Sequence, residues 1–250
     1  MIVIGVDGAT WDIIKPNLES LPNFRKLLEK YEHTALECDV RPVHSSASWT
    51  TIFTGLRPEE HKITEFVMDG ERRKELIKDK MFVWNKVPRS IVMCVPISLP
   101  PMNVNYDLRG WEPVVLSTTE EEMYASTRKL LSDTMSAIEY GEADFVAVVF
   151  SETDRVGHIF WHEKDVLLRH YQSVDAALGK LMPLLEKNDF LILSDHGFTD
   201  AQETRENNWD KVRDNQTGGH HPNGIAISNH QPPQKTSQIC SFMEKVLGKS

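Results

Sequence analysis

Four stretches of this 250-residue chain carry residue types suited to chemistry at a metal. Asp7 follows the apolar run Ile2-Val3-Ile4-Gly5-Val6, and Asp154 and His158 follow Phe145-Val146-Ala147-Val148-Val149-Phe150. Asp195 and His196 follow Phe190-Leu191-Ile192-Leu193, and His220 lies in the glycine-rich Gly218-Gly219-His220-His221-Pro222-Asn223-Gly224. Carboxylates mixed with imidazoles suit borderline-soft divalent cations such as zinc, and are too histidine-rich for calcium or magnesium alone. Six such groups exceed what one tetrahedral catalytic zinc uses, so two ions are the economical reading. Two ions roughly 3.5–4 Å apart form a clamp for in-line displacement at phosphorus. Ser45, in His44-Ser45-Ser46-Ala47-Ser48-Trp49, supplies a nucleophile. A metal lowers a hydroxyl's pKa enough for attack near neutral pH, with no Ser-His-Asp arrangement.

Each residue also has a plainer role to weigh. Asp7 before Gly8 is an ordinary turn former. Asp154 and His158, four apart, share a helix face and can simply pair. Ser45, Ser46 and Ser48 precede a helical stretch, where a serine is ordinarily an N-cap. His61 is expected to be structural. Recurrence weighs against the plain readings, since buried strands repeatedly end in metal-ligand residues.

The elements that must position these groups are legible in the periodicity. Apolar runs of four to six residues bounded by turns predict buried strands at 1–6, 90–95, 145–150 and 190–193. Less regular strands are expected over 34–40 and 225–227. Helices are predicted from Pro22, up to Gly55, over 120–140 with Gly141 as the stop, over 162–187 and over 237–247. Leu167, Tyr171, Val174, Leu178, Leu181 and Leu185 form a core stripe. Alternating strands and helices imply an α/β fold, a three-layer αβα sandwich around a mostly parallel sheet. Such a sheet gathers its strand ends, and hence Asp7, Asp154 and Asp195, at one edge. The first and late strands must then lie side by side. Residues 199–219 are polar without an apolar period and read as a mobile surface loop. Residues 62–118, broken by Pro96, Pro100, Pro101 and Pro113, read as an irregular insertion on the substrate side of a single domain spanning 1–250.

Composition narrows the classes. The hydrophobic fraction of 40% supports a sizeable core, and the net charge of −9 without a long basic cluster excludes a nucleic-acid backbone binder. A small anionic substrate held by metal ions remains compatible. Cys38, Cys94 and Cys240 have no zinc spacing and imply no disulfide framework. No signal-peptide pattern or membrane-length apolar run is seen, so a cytoplasmic protein without a membrane partner is expected. Oligomeric state is not readable.

The ordered set of motifs resembles the alkaline phosphatase superfamily, most closely the type I phosphodiesterase/nucleotide pyrophosphatase family. The motifs are Val6-Asp7-Gly8; Ser45-x-x-x-Trp49-Thr50-Thr51-x-x-Thr54-Gly55-x-x-Pro58-x-x-His61; Thr153-Asp154-x-x-Gly157-His158; Ser194-Asp195-His196-Gly197; and Gly219-His220-x-Pro222-x-Gly224. Val95-Pro96-x-x-x-Pro100-Pro101-x-x-Val104-Asn105 matches a stretch of prokaryotic members. The resemblance implies that Asp154, His158 and His220 hold one zinc, and Asp7, Asp195 and His196 the other. Manganese is the alternative metal. It also implies Ser45 as nucleophile, a phosphoseryl intermediate and a small phosphoester substrate. His221 is the neighbouring alternative for the last ligand.

This sequence departs from the family pattern in several places. Serine stands where most members have threonine, which adds weight to phosphomonoesterase activity. Phe66 matches an asparagine that contacts phosphate in nucleotide pyrophosphatases. His61-Lys62-Ile63 replaces His-Gly-Ile, and the short chain implies a reduced cap. A sulfatase is disfavoured because Ser45-Ser46-Ala47-Ser48-Trp49 lacks the needed Pro and Arg. A cofactor-independent phosphoglycerate mutase would need a further domain. A catalytically silent metal-binding protein is the competing class.

Overall fold

The computed structural model describes residues 1–79, 81–106, 119–140 and 142–248. Its strands are β1 (Ile2–Val6), β2 (Glu32–Glu37), β3 (Ser90–Val95), β4 (Met102–Val104), β5 (Phe145–Phe150), β6 (Phe190–Leu193), β7 (Gly197–Asp200), β8 (Gly218–His221) and β9 (Asn223–Ser228). The helices are α1 (Trp11–Ile14), α2 (Pro22–Lys30), α3 (Ser45–Thr54), α4 (Pro58–His61), α5 (Gly70–Lys78), α6 (Glu120–Tyr140), α7 (Glu152–Phe160), α8 (Lys164–Leu185), α9 (Ala201–Glu206) and α10 (Ile239–Val246).

Seven strands form one sheet in the order β2-β9-β6-β1-β5-β3-β4. Strand β1 lies at its centre, parallel to both β5 and β6, and β3 continues parallel to β5. Antiparallel pairing enters at β9 and β4. Every residue of β1 and β5 is buried, as the unbroken apolar runs require. Successive side chains leave by opposite faces. Ile2, Ile4, Val6, Val146 and Val148 join a core under α2, α6 and α8. Val3, Ala147, Val149, Leu191 and Leu193 join a second core with Trp49, Phe53, Trp84 and Met243, under α3 and α10. Two cores on two faces make the expected three-layer αβα sandwich. The stripe on α8 is wholly buried, each such side chain contributing about 1.5–3 kcal/mol by leaving water.

Three expectations need correction. Residues 199–219 are not simply a surface loop. β7 and β8 pair as an antiparallel ribbon, and α9 packs on it through buried Ala201 and Thr204. The short polar turns of this excursion hide the period-2 pattern, because glycines and histidines occupy the strand positions. Within 62–106, α5 and β4 contribute Leu76 and Met102 to the second core, so most of this stretch is packed structure. The early strand spans Glu32–Glu37 rather than 34–40, with its register set by β9. Gly141, Pro113 and residues 107–118 lie outside the described residues.

Candidate active site

Two parallel ladders bring the ends of β1, β5 and β6 to one edge. Gly5 pairs with Leu193 and Val6 with Phe150, so Asp7, Asp195 and α7 all start from adjacent strand ends. Asp7 N–H donates to Phe150 O at 2.9 Å, and Thr153 Oγ1 donates to Asp7 O at 2.5 Å. Ser194 Oγ accepts from Ala9 N–H at 3.0 Å and donates to His196 O at 2.5 Å. Gly8 follows Asp7 at φ +68, and a Cβ there would lie 2.9 Å from the Asp154 backbone. Glycine is therefore required for both the turn and the approach of α7.

Ser45 is the first residue of α3, but it is not the N-cap. That position is His44, whose Nδ1 accepts the Ser46 N–H at 3.3 Å. The cap reading of the serines is overturned, and the Ser45 hydroxyl is free for the site. Ser45 Oγ lies 3.4 Å from Asp7 Oδ1 and 3.2 Å from His196 Nε2. It also sits at the positive end of the helix dipole.

The six other candidates form one cluster, which meets this hydroxyl at Asp7 and His196. Asp154 Oδ1 lies 3.5 Å from His158 Nε2 and 3.3 Å from His220 Nε2, and the two Nε2 atoms are 3.1 Å apart. Ligand atoms on a tetrahedral zinc are separated by roughly 3.3 Å. His196 Nε2 lies 3.5 Å from both Asp7 Oδ1 and Asp195 Oδ2. The two trios abut, with the His196 and His220 rings stacked at 3.9 Å. His196 also lies within 4.8 Å of Asp154 and His220 ligand atoms, so it reaches both trios. The imidazoles present Nε2 inward because Nδ1 is engaged elsewhere. Nδ1 lies 2.9 Å from Gly197 O in His196, 2.6 Å from Val43 O in His220 and 3.3 Å from Gly218 O in His158. His221 is excluded from the cluster. The strand alternation turns it away, against Trp209 at 4.6 Å.

Electrostatics test whether a cation fits. Both carboxylate oxygens of Asp195, and Asp154 Oδ1, are buried with no hydrogen-bond partner. Burial and the charge of Asp154 push the Asp7 carboxyl up to about 7. Burial and Asp7 push Asp195 well above the usual carboxylate range. Burial opposes ionisation of Asp154 too, but His158 and His220 outweigh it and hold that carboxyl low. Burial, with His220 nearby, keeps His196 neutral. Unpartnered carboxyl oxygens beside the neutral imidazoles of His158 and His196 are a donor set short of positive charge. Divalent cations fit it.

Neighbouring side chains missed by sequence reasoning hold these groups. Trp49 Nε1 donates to Asp7 Oδ2 at 3.3 Å, which turns Oδ1 toward Ser45. The indole reaches there because Gly5 leaves room, a Cβ on Gly5 falling 2.5 Å from it. Asp210 Oδ2 lies 2.9 Å from His220 Nδ1. One signal for Asp210 was present, since Trp209 is an isolated large apolar residue in a polar stretch. It packs on Cys38, Val40, Val43 and Ala47. His61 is structural as expected, buried with Nε2 3.1 Å from Thr51 Oγ1. The Phe66 ring stands edge-on to His44 at 4.8 Å, an apolar wall beside the segment that carries Ser45.

Solved structures share this fold. Murine ectonucleotide pyrophosphatase/phosphodiesterase 5, in an inactive variant bound to AMP, superposes with a TM-score of 0.66 at 13% identity, covering 100% of this chain and 95% of that one. Its human counterpart gives 0.65 at 13% identity with the same coverage. Phosphonoacetate hydrolase from Sinorhizobium meliloti 1021, in complex with phosphonoformate, gives 0.57 at 14% identity over 80% of this chain and 56% of that one. No curated protein sequence matches. The family model for type I phosphodiesterase/nucleotide pyrophosphatase matches residues 1–247, nearly the whole chain. This chain therefore belongs to the type I phosphodiesterase/nucleotide pyrophosphatase family.

Proposed function

We propose that the protein is a two-metal phosphoester hydrolase with Ser45 as nucleophile. Its family and fold support phosphoester hydrolysis. One observation carries the finer reading. The Ser45 hydroxyl stands within 3.4 Å of Asp7 and 3.2 Å of His196, and His196 links the Asp7 and Asp195 ligand atoms to those of Asp154 and His220. Asp154, His158 and His220 would hold one ion, and Asp7, Asp195 and His196 the other, with zinc the metal best matched to these donors. When bound, the two cations lower the hydroxyl's pKa, neutralise charge developing on phosphorus and activate the water of the second step.

The chain's own residues do the rest. Trp49 orients Asp7, and Thr153 and Ser194 fix the strand ends on which the site is built. Ser45 Oγ forms a bond to phosphorus as the bond to the leaving alcohol breaks, and the alcohol leaves with a proton. Water then cleaves the phosphoserine, giving its hydroxyl to phosphorus and its remaining proton to Ser45 Oγ, and phosphate or a phosphomonoester is released. A second reading, phosphomonoesterase, rests on serine as the nucleophile type, and Phe66 weighs against nucleotide diesters. An aromatic wall against His44 provides no hydrogen bond where relatives of this pattern use asparagine. Three buried, unpaired thiols favour a reducing, cytoplasmic setting.

The test is hydrolysis of p-nitrophenyl phosphate and bis-p-nitrophenyl phosphate before and after chelation, with Ser45→Ala alongside. Activity should vanish on chelation, return with zinc, and fall at least ~10³-fold in the variant. Activity surviving both treatments refutes the mechanism. Zinc binding without turnover of any phosphoester favours a silent protein.

A further inference from the structure

We propose that Asp210 is a positioning residue for His220, whose carboxylate strengthens the hold of that imidazole on a divalent cation. The assignment rests on the two-metal reading above. Asp210 Oδ2 lies 2.9 Å from His220 Nδ1, and both side chains are almost fully buried. A histidine that donates Nδ1–H to a carboxylate keeps its Nε2 lone pair free for a metal and becomes a stronger ligand. His220 Nε2 is the atom that meets Asp154 and His158.

The carboxylate is placed by contacts that do not involve a ligand side chain. Trp209 O accepts the Val43 N–H at 2.8 Å, and Trp209 N–H donates to Thr204 O at 3.2 Å. The indole is packed against Val43 and Ala47. Thr204 Oγ1 in turn donates to His220 O at 3.1 Å, so α9 ties Asp210 and His220 to the same support. Val43 O, 2.6 Å from His220 Nδ1, is a second acceptor for the same proton. Val43 O would therefore hold the same tautomer without Asp210. What Asp210 adds is negative charge behind the ring, in a buried setting where charge is weakly screened. No other residue type at 210 except glutamate would supply it.

This separates charge from shape experimentally. Asp210→Asn keeps an acceptor of the same size and deletes the charge, Asp210→Ala deletes both, and Asp210→Glu keeps the charge. Metal-stripped wild type and variants are titrated with zinc against a chromogenic chelator, and with cobalt(II) followed by its visible absorption. The expected result is one ion bound with wild-type affinity and the other about 10–100-fold more weakly in Asp210→Asn. The cobalt spectrum of that weaker ion should shift, and Asp210→Glu should recover part of the affinity. Thermal unfolding of the metal-free forms controls for fold. Two ions bound as in wild type by Asp210→Asn overturn the assignment, as does a loss shared equally by both ions. Wild-type protein that binds no ion overturns the two-metal reading itself, and this proposal with it.

Discussion

The two halves of the site are built by different means. Asp7, Asp195 and His196 are carried by the ends of adjacent parallel strands, and backbone ladders fix their spacing. Asp154 and His158 also start from a strand end, but they meet His220 only because a ribbon and a short helix return the chain over the edge. The first half is sealed, with Asp7, Asp195 and His196 at most 2% exposed. The second is nearer the surface, and side chains such as Asp210 and Gln216 prop its histidines. Register makes the first half rigid and electrostatically strained. The second depends on tertiary contacts among polar residues and is better satisfied. Asp195 has two orphaned oxygens, whereas His220 sits between Asp154 and Asp210.

Breaking that contrast should have the largest effect in the sealed half. Asp195→Asn should abolish zinc loading at one position and lower activity by at least ~10³-fold. The same variant should stabilise the metal-free fold, because a buried carboxylate without partners costs about 1–3 kcal/mol. Urea unfolding in chelator measures this, and a less stable variant contradicts the strain. In the other half, His158→Ala should lose one ion per chain and keep its neighbour, as counted by metal analysis after dialysis. Its metal-free stability should change by under ~1 kcal/mol, since the ring is partly exposed.

The pH dependence of the metal-free protein sharpens the comparison. Burial and Asp154 raise folded Asp7 to about 7 against 3.8 unfolded, and burial and Asp7 raise Asp195 in the same sense. Above their unfolded values the folded state therefore holds protons that the unfolded state has released. His220, raised well above 6.5 by Asp154 and Asp210 against the effect of burial, acts likewise above that pH. His158 and His196, both lowered chiefly by burial, act oppositely but only below 6.5. Stability should therefore fall as pH rises from 6.5 to 8.5, by about 1.4 kcal/mol per unit for each group still holding its proton. Thermal unfolding in chelator should show the slope, and loading with zinc should flatten it. The smallest effect is expected from Trp49→Phe. It removes the bond to Asp7 Oδ2 and should lower kcat about tenfold while KM changes little.

The same contrast governs what was legible in the sequence. Buried parallel strands announce themselves as apolar runs, so β1, β5 and β6 and the acidic residues at their ends could be read directly. The demand that the first and late strands be neighbours is met by the pairing of Ile2 with Phe190. The ribbon of β7 and β8 gave no such signal, because its strands are short and carry glycine and histidine. Asp210 had only the neighbouring Trp209 as a signal, because its role depends on His220, which lies across the ribbon. His44 as the cap of α3 was missed because histidine is a less usual choice than the serines beside it. Within 62–106, prolines and charged residues masked α5 and β4, whose few apolar residues matter only through the second core.

The most direct test of the account is chemical trapping of Ser45. Zinc-loaded protein is mixed with bis-p-nitrophenyl phosphate, quenched in acid during turnover and digested for mass spectrometry. A phosphoester adduct is expected on Ser45, absent after chelation and absent in Ser45→Ala. Rapid turnover with Ser45 unmodified at every quench time, and undiminished in Ser45→Ala, would contradict it.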